Sequence, residues 1–176
     1  ADTKYQMILN HLEGLGVHRV LNAGCGSGEL SMLLARAGYH VTGIDPGDEY
    51  IALAKAHLPP ELRERCSFSV GTIEAHTPSA PYDAVIATDV LEHIKDDAAA
   101  LKKLVDLLQP HGRLIVTVPA LPALFGFHDE LLGHWRRYTK ETLRILLASA
   151  GSLEIQKIRY FGFTLIPICF LFSRVL

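Results

Sequence analysis

Cysteine is scarce in this chain, and none of the three residues Cys25, Cys66 and Cys169 stands in a CxxC pair. That spacing excludes a disulfide-dense scaffold and a paired-cysteine zinc site, and it fits free thiols in a reducing compartment. An excess of charge of one sign is missing too: 17 Lys and Arg against 19 Asp and Glu leave a formal net charge of −2. With no long basic stripe, nucleic acid is disfavoured as a partner. The first residues carry neither the apolar core of a secretory leader nor the Arg- and Ser-rich pattern of a transit peptide, so the expected location is cytoplasmic. Between Arg159 and Arg174 lie 14 uncharged residues with Pro167 among them. A spanning helix needs about 20. The apolar C-terminal segment 162–176 is then a core helix, an interfacial segment or a dimer surface. If exposed, it implies peripheral membrane contact, placing the protein at the membrane surface, or a homodimer.

What the sequence does contain is 49% hydrophobic residues with 20% charged, a globular composition over 176 residues, and the expectation is one domain, 1–176. Residues 5–15 place Met7, Ile8, Leu12 and Leu15 at helical spacing. RVLNA (19–23) reads as a buried strand and ELSMLLARAG (29–38) as a helix. HVTGID (40–45), CSFSV (66–70), YDAVIATD (82–89) and GRLIVTVP (112–119) read as further strands, with helices predicted over 48–58, 96–108 and 140–151. SLEIQKIRYF (152–161) alternates like an edge strand. Strand and helix in regular order, with apolar strands that do not alternate, predict an α/β fold: a doubly wound, mostly parallel Rossmann-like sheet with helices on both faces.

The turn after the first strand, AGCGSGEL, has glycine at 24, 26 and 28. A glycine-rich turn at that place lets backbone approach a ligand at the carboxyl end of the sheet. A dinucleotide fingerprint puts its third glycine where this chain has Glu29, which is poor company for a pyrophosphate. Asp45 closes the second strand, placed either to accept hydrogen bonds from two ribose hydroxyls or to cap the turn at Pro46.

VLNAGCGSG, VTGIDP and YDAVIATDVLEHI, in this order and spacing, resemble the class I S-adenosylmethionine-dependent methyltransferases over about residues 18–160. The resemblance implies a seven-stranded fold whose last strand is inserted antiparallel; the expectation is either that this strand is missing here or that the region is rebuilt. It implies S-adenosylmethionine as cofactor. Gly24, Gly26 and Gly28, with Cys25 among them and Asn22 before them, would flank the methionine moiety, and Asp45 with Pro46 the ribose. Thr72 and Ile73 would lie beside the adenine, and Ala87, Thr88 and Asp89 at the methionine end. The family usually has Asp where Asn22 stands and often has Asp where Thr72 stands.

Methyl transfer to oxygen or nitrogen needs a group that handles the acceptor proton, or a metal that lowers its pKa. TDVLEHI supplies Asp89, Glu92 and His93, which face one side if a helical turn starts there. FHDELLGHWRRYT (127–139) adds His128, Asp129, His134, Arg136 and Arg137. The two blocks resemble those of ubiquinone-pathway O-methyltransferases, and of small-RNA 2′-O-methyltransferases, where E-x-x-E-H and a later His hold a divalent metal. Carried over, the metal ligands are Asp89, Glu92, His93 and His134, with Mg²⁺ and Mn²⁺ both open. The metal-free alternative keeps His93, His134 and Asp89 as catalytic groups. The second block also resembles methyltransferases of glycan and lipid-linked sugar clusters. The acceptor class implied is a small molecule or a glycan- or lipid-linked group. Arg136 and Arg137 are either a phosphate clamp or a basic face; Trp135 and Tyr138 either stack on an acceptor or belong to the core. The expected function is O-methyl transfer. N-methyl transfer and non-catalytic S-adenosylmethionine binding are the alternatives, with a nicotinamide-dependent oxidoreductase behind them.

Overall fold

Val20 to Ala23 of β1 (Arg19–Ala23) and Ala84 to Ala87 of β4 (Tyr82–Thr88) are buried without alternation, as central parallel strands covered on both faces must be. They belong to a computed structural model that describes residues 3–151 and 153–161. With β2 (His40–Asp45), β3 (Cys66–Val70) and β5 (Leu108–Thr117) they form a five-stranded sheet of order β3-β2-β1-β4-β5. The registers Val20↔Val41, Val20↔Ala84 and Val41↔Cys66 run parallel. The chain winds outward from β1 on both sides, first to β3 and then to β5, so the doubly wound expectation holds.

The chain divides into two compact units: residues through Thr88 with Lys103–Val116, and Asp89–Lys102 with Thr117 onward. In the first, α1 (Thr3–Leu12) buries Ile8 and Leu12, four apart on one helical face. α2 (Glu29–Arg36) buries Leu30, Leu34 and Ala35, and α3 (Asp48–His57) buries Ile51 and Ala54. Phe68 of β3 fills the space between them and fixes two glycines. A Cβ at Gly28 would stand 2.6 Å from its ring, and one at Gly43 also 2.6 Å. Gly28 further has φ +85°, which L side chains reach only at a cost. Gly28→Ala is expected to destabilise by about 2–4 kcal/mol, from left-handed strain together with overpacking, read by urea denaturation. A loss under half of that lower bound would mean that Phe68 swings aside freely.

In the second unit, α4 (Asp97–Asp106) begins in the residues that follow β4, and α5 (Phe127–Leu131) and α6 (Lys140–Ser149) follow β5. Thr139 starts α6 by a reciprocal cap: its hydroxyl accepts from the Thr142 N–H at 3.0 Å, and its own N–H donates to the Thr142 hydroxyl at 2.9 Å. The Tyr138 N–H donates to the Pro119 carbonyl at 2.8 Å, and the Leu121 N–H to the Tyr138 carbonyl at 3.1 Å. This ladder ties the segment after β5 to the residues that precede α6.

Two expectations differ from the structure. β5 begins at Leu108 rather than 112 and takes in Pro110 and His111, the latter at φ 65°. As the outermost strand of the described sheet it tolerates a residue without an N–H. Residues 153–161 form no strand. Their alternation buries nothing, with Ile155 43% and Phe161 50% exposed, and an alternating segment becomes a strand only against a partner and a core. The segment 162–176 lies outside the described residues. Among the described ones, no helix is long and apolar enough to cross a membrane.

Candidate functional site

The glycine turn is built by backbone that only glycine adopts cheaply. Gly24, Gly26 and Gly28 have φ of 70°, 50° and 85°, in the left-handed region. The Gly24 and Cys25 N–H groups both donate to the Ile44 carbonyl, at 2.8 and 2.9 Å, which fastens the turn to the end of β2. Asp45 completes the fastening, one oxygen accepting from the Gly26 N–H and the other from the Gly47 N–H, each at 2.9 Å. A carboxylate offers about four acceptor positions, so both oxygens retain room for hydroxyl donors. A Cβ at Gly26 would meet nothing within 4 Å; the backbone there faces open space, a cradle a ligand can enter. Ala23 pairs with Ala87, so β4 ends beside the start of this turn.

Asn22 is buried, and its Nδ2 donates to the Ser31 hydroxyl at 2.9 Å. Its Oδ1 is buried with no hydrogen-bond partner among the described residues, an acceptor left for an ammonium or hydroxyl donor. Cys25 is chemically quiet: burial first, then the Asp45 charge, push its thiol up to about 12. Thr72 is exposed, its hydroxyl accepting from the Ala75 N–H at 3.3 Å, and Ile73 is buried.

In the second unit, Glu92, His93 and His134 bring three ligand-type atoms within 4.8 Å of one another. Glu92 and His93 lie on a tight turn, Leu91–His93, and His134 comes from the loop after α5. The Trp135 N–H donates to the Glu92 carbonyl at 2.7 Å and pins the two segments together. The His93 and His134 rings meet edge to face, 4.6 Å apart at 83°. Glu92 is 1% exposed. Burial and then the neighbouring His134 hold the His93 imidazole below its ordinary pKa, so at neutral pH it is the unprotonated form that accepts a proton or binds a cation.

Asp89 is outside this group of three, although its charge acts on His93. It has φ 55° and accepts the Thr117 hydroxyl at 3.0 Å. The helical turn expected from Asp89 onward does not form, because the left-handed residue breaks it before Leu91. Of the four metal-ligand positions implied by resemblance, three converge.

Asp129 is the residue the sequence left unassigned. Fully buried, it accepts from His134 Nδ1 and Arg137 Nε, both at 2.8 Å on Oδ1, and from the Gly126 N–H at 3.1 Å on Oδ2. Burial alone would raise its carboxyl, but these hydrogen bonds and the Arg137 charge hold it below the usual range. Arg136 is likewise employed internally, on Asp97 at 2.6 Å and on the Lys95 carbonyl at 2.6 Å. Tyr138 is core, with its hydroxyl donating to Asp97 at 2.8 Å. Trp135 is 56% exposed with Lys95 Nζ 5.6 Å from its ring centroid.

A family model described as a methyltransferase domain matches residues 5–166. A ubiquinone biosynthesis O-methyltransferase of Aeromonas salmonicida is 39% identical over 106 residues, 59% of this chain and 44% of that protein. The chain thus spans less than half the length of the ubiquinone-pathway relatives it matches. Among solved structures, the YcgJ protein from Bacillus subtilis aligns over 85% of this chain and 68% of its own, with TM-score 0.75 at 19% identity. Magnesium protoporphyrin IX methyltransferase from Synechocystis with bound SAH aligns over 84% and 71%, with TM-score 0.66 at 23% identity. At such identities these two likenesses establish the fold.

Proposed function

Because the chain belongs to the family of S-adenosylmethionine-dependent methyltransferase domains, we propose that it methylates a hydroxyl oxygen of a small-molecule or glycan-like acceptor, with Glu92, His93 and His134 as its acceptor site. The observation that carries this reading is the convergence of those three side chains, from two segments far apart in sequence, to within 4.8 Å. When bound, S-adenosylmethionine supplies an activated methyl group for in-line displacement. The glycine turn, Asn22 and Asp45 hold it: the open backbone at Gly26 receives the methionine part, Asn22 Oδ1 takes up an N–H donor, and Asp45 accepts from the ribose. Pro46, Thr72 and Ile73 complete the nucleoside side, while Ala87 and Thr88 lead directly into the block that begins at Asp89.

The chain's remaining task is to align the acceptor oxygen and take its proton. As that oxygen took the methyl group the cofactor would supply, with the electron pair of the carbon–sulfur bond remaining on sulfur, the acceptor proton would pass to an imidazole nitrogen of His93 or His134. Two imidazoles and a carboxylate also suit a divalent cation such as Mn²⁺ or Mg²⁺, which would acidify an acceptor carrying adjacent oxygens. The unprotonated His93 imidazole serves equally well in the second reading, a metal-free base.

S-adenosylhomocysteine, and not NAD, is expected to raise Tm. At a hundredfold excess over Kd the folded state gains about 2.7 kcal/mol, roughly 5–10 °C for a chain of this size. Asp45→Ala should abolish most of that rise. A rise with NAD instead, or an undiminished rise in the variant, overturns the cofactor assignment. Screening catechols and sugar diols by mass spectrometry, with and without Mn²⁺, tests the acceptor class and the metal together.

A further inference from the structure

His134 has two ring nitrogens, and with Nδ1 engaged 2.8 Å from Asp129 Oδ1 it is Nε2 that remains to serve with Glu92 and His93. The choice is made by Asp129. This carboxylate has no exposed surface, lies 2.8 Å from His134 Nδ1, and is surrounded by donors, since Arg137 Nε and the Gly126 N–H also point at it. A carboxylate held in its charged form accepts hydrogen bonds and donates none, so Nδ1 must carry the hydrogen. The backbone reinforces the placement. The His134 N–H donates to the Asp129 carbonyl at 2.8 Å, and Arg137 Nη1 donates to the Ala120 carbonyl at 3.3 Å. Carboxylate, imidazole and guanidinium therefore lock in one arrangement before any ligand arrives.

We infer that Asp129 is a positioning residue of the acceptor site: it fixes His134 with hydrogen on Nδ1 and the lone pair on Nε2, the nitrogen offered to Glu92 and His93. This rests on the acceptor-site reading above, and it applies whether Nε2 binds a cation or takes a proton. An ionised partner also raises the donor strength of the imidazole and restrains its rotation, and such outer partners are worth about 10–100-fold in metal affinity or activity. Asp129→Asn keeps the shape but brings an NH₂ group into a ring of donors. The amide oxygen serves best in the Oδ1 place, where His134 and Arg137 both donate, so the hydrogen stays on Nδ1 while the charge that restrains the ring is lost; Asp129→Ala removes the acceptor altogether and frees the hydrogen to move to Nε2.

The test is a long-range ¹H–¹⁵N correlation spectrum of the full chain labelled at histidine nitrogen, at neutral pH without metal, with the His134 signals assigned by their loss in His134→Ala. The wild type should show hydrogen on Nδ1; Asp129→Ala should shift population to Nε2–H, and Asp129→Glu should retain much of the wild-type pattern. In calorimetry, Mn²⁺ affinity should fall about 10–100-fold in Asp129→Asn. A wild-type His134 carrying its hydrogen on Nε2 overturns the inference, even if Asp129→Ala does not fold. So does an Asp129→Ala spectrum identical to wild type. Failure of the acceptor-site reading shows separately, as no Mn²⁺ binding together with full methyl transfer in His134→Ala, and it removes the role of Asp129 with it.

Discussion

His134→Ala is expected to lower methyl transfer by about 10²- to 10⁴-fold, the range for loss of a positioned acid–base group, while the S-adenosylhomocysteine-induced rise in Tm stays at its wild-type size. The two readouts separate because His134 is proposed for the acceptor and is not among the residues proposed for the cofactor, which run from Asn22 to Asp89. Truncation at 134 leaves Asp129 paired with Arg137 and the Gly126 N–H, so the buried carboxylate keeps its counter-charge and the fold survives. His93→Ala should give a loss of the same order. If the two imidazoles act as one device, the double variant falls little below either single one, since groups that act together are grossly non-additive. Activity in His134→Ala within a few-fold of wild type would remove the trio from the mechanism. The metal question is answered by the same variants: an ion held by Glu92, His93 and His134 is lost from calorimetry in all of them, whereas a metal-free base leaves no titration to lose.

The sheet and the cofactor turn could be read from the sequence because their signals are local. Glycine at 24, 26 and 28 marks left-handed backbone directly, and the runs 20–23, apolar except for Asn22, and 84–87 mark strands that are covered on both faces. What escaped is set by partners distant in sequence. Asp129 sits in FHDEL, where Asp and Glu in a first helical turn look like ordinary surface charges favoured by the helix dipole. Its complete burial depends on His134 and Arg137, five and eight residues on, folding back over it. A hint was available, since an Asp followed by His and Arg in a short loop carries a ready set of donors. Gly43 gave no signal within its strand; only Phe68 from the neighbouring strand explains it. The left-handed Asp89 was equally hidden, because aspartate tolerates that region without announcing it.

Arg137→Met should be the most destabilising single change in the acceptor unit, by about 3–5 kcal/mol, the usual cost of stripping one partner from a buried ion pair. The guanidinium is 13% exposed and Asp129 not at all, so solvent cannot replace the lost charge, and methionine retains the stem and its packing. The pH dependence identifies the cause. In the wild type, Asp129 lies below its ordinary pKa despite burial, so it contributes stability that is present above the unfolded value of about 3.9 and lost as pH falls through the folded value. In the variant burial acts without the guanidinium, the folded carboxyl moves upward, and its charged form becomes the costly one. Acidification then relieves the variant before it harms the wild type. Urea denaturation at about pH 7 and pH 5 should therefore show the stability gap narrowing at the lower value. A gap that stays constant between them would assign the loss to packing around the Ala120 carbonyl rather than to a stranded charge.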